Sequence, residues 1–300
     1  MEPEWHLEWK RITVGGAEVR YGEAGDGEPF VFLHGFGLRE KTYKRALGRL
    51  VPLGIRVVAP SLPGFGGTAP LPGDDTTIES YARWVVEFCA AIELDGPVMM
   101  AGHSFGGGVA IRTAHDHPQL VRLLVLINSV GGSVWKEAGV GSDEEARHLA
   151  DRPLWSWGLH APFDVARRKV VQAALPTILA DAGRNLIRHP GAFWRAGRLA
   201  RTADLRDELV ELNARGLPIV VLWGTEDRIL PAASLDALVK AMGGEPEVVK
   251  GSHAWLLADP DAFGEVMTNV VAYAEHERTR ERRRTRWTDR LRARWRKLRG

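Results

Sequence analysis

The sequence predicts an α/β protein: a mostly parallel, doubly wound sheet with a helical insertion and a basic C-terminal helix. Three observations predict it. Short unbroken runs of Val, Ile, Leu and Phe recur along the chain, as suits strands buried on both faces. Amphipathic helical patterns separate these runs, and such an alternation implies one sheet with right-handed crossovers. The rhythm stops between Gly131 and Gly216, where prolines and aromatic residues replace strand patterns.

In chain order, Leu7–Val14 and Ala17–Tyr21, split by Gly15-Gly16, read as an antiparallel hairpin. Phe30–Leu33, Arg56–Ala59, Val98–Ala101, Val121–Ile127 and Ile219–Trp223 follow as buried strands, with Glu247–Lys250 the last and shortest. Helical patterns fall at Tyr43–Leu50, Ile78–Ile92, Phe105–His117, Ala232–Met242 and Asp261–Glu277. The span 131–216 contains Pro153, Pro162, Pro176 and Pro190 with Trp135, Trp155, Trp157, Phe163, Phe193 and Trp194. It reads as a helical lid between two sheet strands, dividing a core of residues 1–130 and 217–275. Residues 276–300 form a separate tail.

Composition narrows the function classes. At 300 residues and 26% charged, the chain can bury a large core and is not disordered. One cysteine excludes a disulfide framework and a multi-cysteine metal site, and no metal or cofactor is expected. The opening MEPEWHLEWK has no apolar core of a secretory signal, and no run of 18 apolar residues occurs. A cytoplasmic location is therefore expected. The net charge of +2 hides a division. Residues 276–300 carry 12 basic against 3 acidic side chains, a net +9, and the rest carries 28 against 35, a net −7.

The most informative motif is Gly102-His103-Ser104-Phe105-Gly106, set between a strand and a helix. A serine on so sharp a turn adopts a strained backbone, and small neighbours let the crossing chains pass. The helix N-terminus beneath it offers free N–H groups to a developing oxyanion.

With these residues the chain resembles the α/β-hydrolase family over about Arg11 to Tyr273. The resemblance implies an oxyanion loop at His34-Gly35-Phe36-Gly37, with the backbone N–H groups of Phe36 and Phe105 as donors. It implies an acid in Gly224-Thr225-Glu226-Asp227-Arg228-Ile229-Leu230-Pro231, which selects Asp227 over Glu226. Some members place the acid after the preceding strand, but here Asn128 stands there and cannot carry the charge. Gly251-Ser252-His253 follows the last strand, making His253 the base. Ser104, Asp227 and His253 then follow the family's order of nucleophile, acid and base. Ser104 excludes the relatives that use an aspartate nucleophile, and His103 replaces the asparagine common before the serine of carbon–carbon hydrolases. Ser61-Leu62-Pro63-Gly64-Phe65-Gly66-Gly67-Thr68 departs from the usual pattern, which begins with Asp and ends with Ser.

The function expected is cleavage of a small-molecule carboxylic ester with a hydrophobic acyl or ring group, through an acyl-enzyme. Trp155, Trp157 and Trp255 are candidate walls of the substrate pocket. A cofactor-independent perhydrolase or oxidase with the same triad, and a low-turnover ligand-binding relative, remain as alternatives. In the tail, Trp287, Leu291, Trp295 and Leu298 are spaced to share one helical face among arginines. Residues 278–299 are accordingly expected to meet an anionic membrane surface, peripherally at the inner face, in preference to nucleic acid.

Overall fold

A computed structural model describes residues 6–72, 76–94, 96–135, 147–148 and 169–298, with side chains outside 135, 147–148, 169–175 and 280–298. Strands β1 (Glu8–Val14) and β2 (Ala17–Ala24) form the expected hairpin. Gly15 and Gly16 both take positive φ (56° and 81°), which lets a two-residue turn match the twist of its strands.

The parallel strands are β3 (Glu28–Leu33), β4 (Ile55–Pro60), β5 (Val98–His103), β6 (Val121–Ile127), β9 (Ile219–Gly224) and β10 (Glu247–Val249). The sheet order is β1-β2-β4-β3-β5-β6-β9-β10, antiparallel at β1-β2 and β2-β4 and parallel elsewhere. β5 and β6 are buried almost throughout, as their unbroken apolar runs require.

Two cores flank this sheet. One packs α2 (Ile78–Ala91), α3 (Phe105–Asp116), α6 (Arg206–Ala214) and α7 (Ala232–Met242) around Phe88, Phe105, Ile111 and Leu209. The other packs α1 (Lys44–Gly48), α8 (Trp255–Ala258) and α9 (Pro260–Leu298) around Phe30, Phe32, Leu47 and Phe263. Thr77 opens α2 with a capping box, its hydroxyl accepting from Ser80 N–H while Ser80 Oγ accepts from Thr77 N–H.

Between β6 and β9 lie α4 (Lys169–Arg188), α5 (Pro190–Thr202) and α6. A short antiparallel pair, β7 (Val134–Trp135) with β8 (Arg147–His148), also occurs there, where no strand is expected from the sequence. Two-residue strands are too short to leave a periodic signal. The last helix also differs from expectation, since α9 runs without a break from Pro260 to Leu298.

Candidate active site

The candidate residues stand at the carboxyl ends of the parallel strands, where open α/β sheets present their loops. Leu33 pairs with Gly102, Ile127 with Leu222, and Gly224 with Val249, so five strand ends share one edge.

At the end of β5, Ser104 has φ 52° and ψ −117°, the strained turn expected of it. Its N–H donates to Ile127 O at 3.0 Å, and its carbonyl accepts from Gly107 N–H at 3.0 Å and Val130 N–H at 3.2 Å. Glycine is required on both sides. A Cβ on Gly102 would strike the Gly106 carbonyl, and one on Gly106 would strike the carbonyls of Leu33 and His34. That second approach brings the turn against the loop carrying Phe36. Phe105 is the first residue of α3, so its N–H has no partner inside the helix.

The loop after β3 is held from several sides. Buried His34 accepts Leu62 N–H on Nε2 at 2.8 Å and therefore carries its proton on Nδ1, facing Gly35 O at 2.9 Å. Burial keeps His34 neutral, its pKa pushed down to about 4. Gly37 takes φ 76°. The Phe36 ring packs on Phe193 of α5 at 4.6 Å and edge-on against Phe65 at 6.1 Å. From α4, Asn185 Nδ2 donates to Gly37 O at 3.0 Å, while its Oδ1 accepts from Gly66 N–H at 3.1 Å. Ser61, where the resemblance expects an aspartate, donates its hydroxyl to the buried carboxylate of Glu40. Burial raises the pKa of that carboxyl, against the stabilising bond from Ser61.

Asp227 and His253 meet directly, His253 Nδ1 to Asp227 Oδ2 at 2.8 Å, with both side chains almost wholly buried. Asp227 Oδ1 accepts from the N–H groups of Ile229 and Leu230 at 2.8 and 2.9 Å, and Oδ2 accepts from Asn128 Nδ2 at 2.6 Å. Burial alone would raise its pKa; the neighbouring His253 and the donated hydrogen bonds outweigh that and hold it below the ordinary carboxylate value. An acceptor fixed in this way orients the His253 ring and sets its Nδ1 as the donor.

Sequence reasoning missed three supports. Asn128 spans the site: besides its bond to Asp227, its Oδ1 accepts from Gly224 N–H at 3.2 Å and Trp255 Nε1 at 2.9 Å. His103 Nε2 lies 2.9 Å from the His253 carbonyl, which can only accept, so Nδ1 is the bare nitrogen. Tyr43 therefore donates its hydroxyl to His103 Nδ1 at 2.8 Å, and accepts Gly35 N–H at 3.0 Å. Burial and the neighbouring His253 push the His103 pKa down to about 3. Asn128 and His103 were visible in the sequence only as residues that differ from other families, and Tyr43 carried no motif.

Trp255 is corrected by the structure. It is 2% exposed, packs on Phe263 at 5.9 Å and gives its N–H to Asn128, so it belongs to the core beneath the site. The turn into α8 immediately after His253 directs it there. Trp155 and Trp157 lie outside the described residues. No cluster of potential metal ligands occurs among the described residues.

The model of the alpha/beta hydrolase family matches residues 30–266. A pimeloyl-[acyl-carrier protein] methyl ester esterase of Aeromonas hydrophila is 29% identical over 82% of this chain and 96% of its own. A protein of Mycobacterium phage D29, provisionally named a non-heme haloperoxidase, is 26% identical over 85% and 92%. The crystal structure of a membrane phospholipase A is similar in fold, with TM-score 0.72 and 22% identity over 90% of this chain and 87% of that one.

Proposed function

Because the chain belongs to the alpha/beta hydrolase family, we propose that it cleaves carboxylic esters through an acyl-enzyme on Ser104. The observation that carries this reading is the 2.8 Å contact of His253 with buried Asp227, together with Ser104 on a strained strand-to-helix turn whose preceding residue, His103, packs its ring 4.9 Å from that of His253. Serine is a weak nucleophile at neutral pH and needs a base. In this reading His253 takes the Ser104 proton as the hydroxyl attacks the ester carbonyl, then returns it to the departing alcohol. Asp227 stabilises the imidazolium in between. The N–H groups of Phe36 and Phe105 hold the oxyanion, each contributing about 3 kcal/mol. Water, activated by the same histidine, then releases the acid.

The packing of Phe193, from the helices between β6 and β9, against Phe36 supports a hydrophobic acyl or ring group and a lid role for those helices. A fluorophosphonate should label Ser104, and S104A should abolish the label. Labelling retained in S104A overturns the mechanism. Across p-nitrophenyl esters, an optimum at the shortest chain would refute the apolar pocket.

The phage relative's name favours one second reading, a peroxide-dependent perhydrolase with the same triad. Peroxide-dependent product formation exceeding ester hydrolysis would decide for it.

We further propose a cytoplasmic protein attached peripherally to an anionic membrane surface through residues 278–299. The support is composition: a net +9 across residues 276–300, on a helical backbone continuous to Leu298. No helix among the described residues is long and apolar enough to cross a membrane. Deleting the chain after Glu277 should weaken co-sedimentation with anionic liposomes, and unchanged co-sedimentation refutes the anchor.

A further inference from the structure

Between Pro176 and Arg188, the two fully buried side chains of α4 are both polar. Its buried side carries Asp181, held by Arg39 at 2.8 Å and Thr42 Oγ1 at 2.6 Å, and Asn185, which clamps Gly37 and Gly66. Its solvent side carries Leu179, 62% exposed, and Ile187, 83% exposed. Across the His189 junction, Trp194 on α5 is 66% exposed. Single exposed apolar residues are ordinary, but several large ones gathered on one pair of helices mark an interaction surface.

Charge selects the partner. Between Lys169 and Thr202 the sequence has six Lys and Arg residues and one acid. That acid, Asp181, is buried and shared by Arg39 at 2.8 Å and Arg184 at 3.5 Å, so it does not offset the exposed cations Arg188 and Arg198. Arginine around leucine, isoleucine and tryptophan is the complement of an anionic phospholipid surface, where the cations meet headgroups and the apolar groups enter the acyl boundary. We propose that the outward face of α4 and the start of α5 dock on an anionic phospholipid bilayer.

This surface is independent of the tail and adjoins the candidate site. α4 reaches the oxyanion loop through Asn185, and α5 reaches it through Phe193. Docking there brings the loop that carries Phe36 near the lipid boundary, within reach of an ester partitioned into the bilayer. The binding proposal does not depend on the hydrolase reading.

The test is flotation with phosphatidylcholine vesicles with and without phosphatidylglycerol, using the full chain, a chain ending at Glu277, and I187E/W194E in each. The chain ending at Glu277 should still bind the phosphatidylglycerol vesicles, less so as salt rises. The double substitution should lower that binding at least about tenfold, since it removes apolar contacts and adds two negative charges. Hydrolysis of a soluble ester by the double variant, at the parent's rate, shows the fold and site intact and separates this test from the hydrolase question. Equal binding to pure phosphatidylcholine overturns the proposal, as does unchanged binding by the double variant or no binding by the truncated parent. A dimer of the parent that the substitutions dissociate assigns the face to a second copy and also overturns it. So does a large fall in melting temperature without vesicles, which shows the face covered by the chain itself.

Discussion

Asn128 donates from Nδ2 to Oδ2 of Asp227 at 2.6 Å, the same oxygen that His253 Nδ1 meets at 2.8 Å. Asn128, at the end of β6, thus bonds the carboxylate proposed as the catalytic acid.

Replacing Asn128 by Asp should place two carboxyls in one buried site, where like charges oppose joint ionisation. The pair would titrate with an apparent pKa above that of Asp227 alone, so the acid limb of the kcat/KM profile should move to higher pH. N128A removes only one of the donors that hold Asp227 low, so it should move that limb less than N128D, and it should cost about 1–3 kcal/mol in urea unfolding because Trp255 and Gly224 lose their acceptor. An unmoved acid limb in N128D would refute the coupling.

D227N should lower kcat on the order of 10⁴-fold while the protein stays folded, since an amide can impose the wrong tautomer on His253. Steady-state kinetics beside a melting curve tests this; a small loss of kcat would place the acid elsewhere.

The chain of bonds from Gly35 through Tyr43 and His103 to the His253 carbonyl ties the loop that carries Phe36 to the loop that carries His253. Y43F and H103Q should each lower kcat about tenfold with little change in KM, and the double variant should be little worse than the poorer single one. Independent, multiplying losses in the double variant would show that the two residues do not act together.

His34 and His103 are neutral in the fold, with pKa values pushed to about 4 and about 3 from the ordinary 6.5. Below 6.5 the unfolded chain takes up protons that the folded chain refuses, so stability falls as pH drops from there towards those values. Each residue contributes up to about 1.4 kcal/mol per pH unit. Urea unfolding at a series of pH values should show this slope, and a flat profile between pH 6.5 and 4.5 would contradict it.

Two glycines should respond in opposite ways. G106A should yield little folded protein, because its Cβ meets the carbonyls of Leu33 and His34. In α4, a Cβ on Gly183 has open space, and G183A should stabilise by about 0.5–1 kcal/mol. Melting temperatures of the two variants decide both.

The sheet, its helices and the order of the candidate residues were legible in the sequence because they depend on local patterns. Buried parallel strands read as apolar runs, and a serine turn needs glycines at fixed offsets. The same locality explains Gly102-His103-Ser104-Phe105-Gly106 and the choice of Asp227 over Glu226. What only the tertiary structure decided are contacts between residues far apart in the chain. Asn128 with Asp227, Tyr43 with His103, and Asn185 with Gly37 are joined by side-chain hydrogen bonds across 99, 60 and 148 positions. No spacing rule encodes such pairs, since each partner is brought by a different strand end or helix. Trp255 shows the limit: two residues from His253 in sequence, it faces the core because α8 turns the chain beneath the site. The outward apolar face of α4 is likewise a tertiary fact, since a helical stripe reveals amphipathicity but not which side the fold buries.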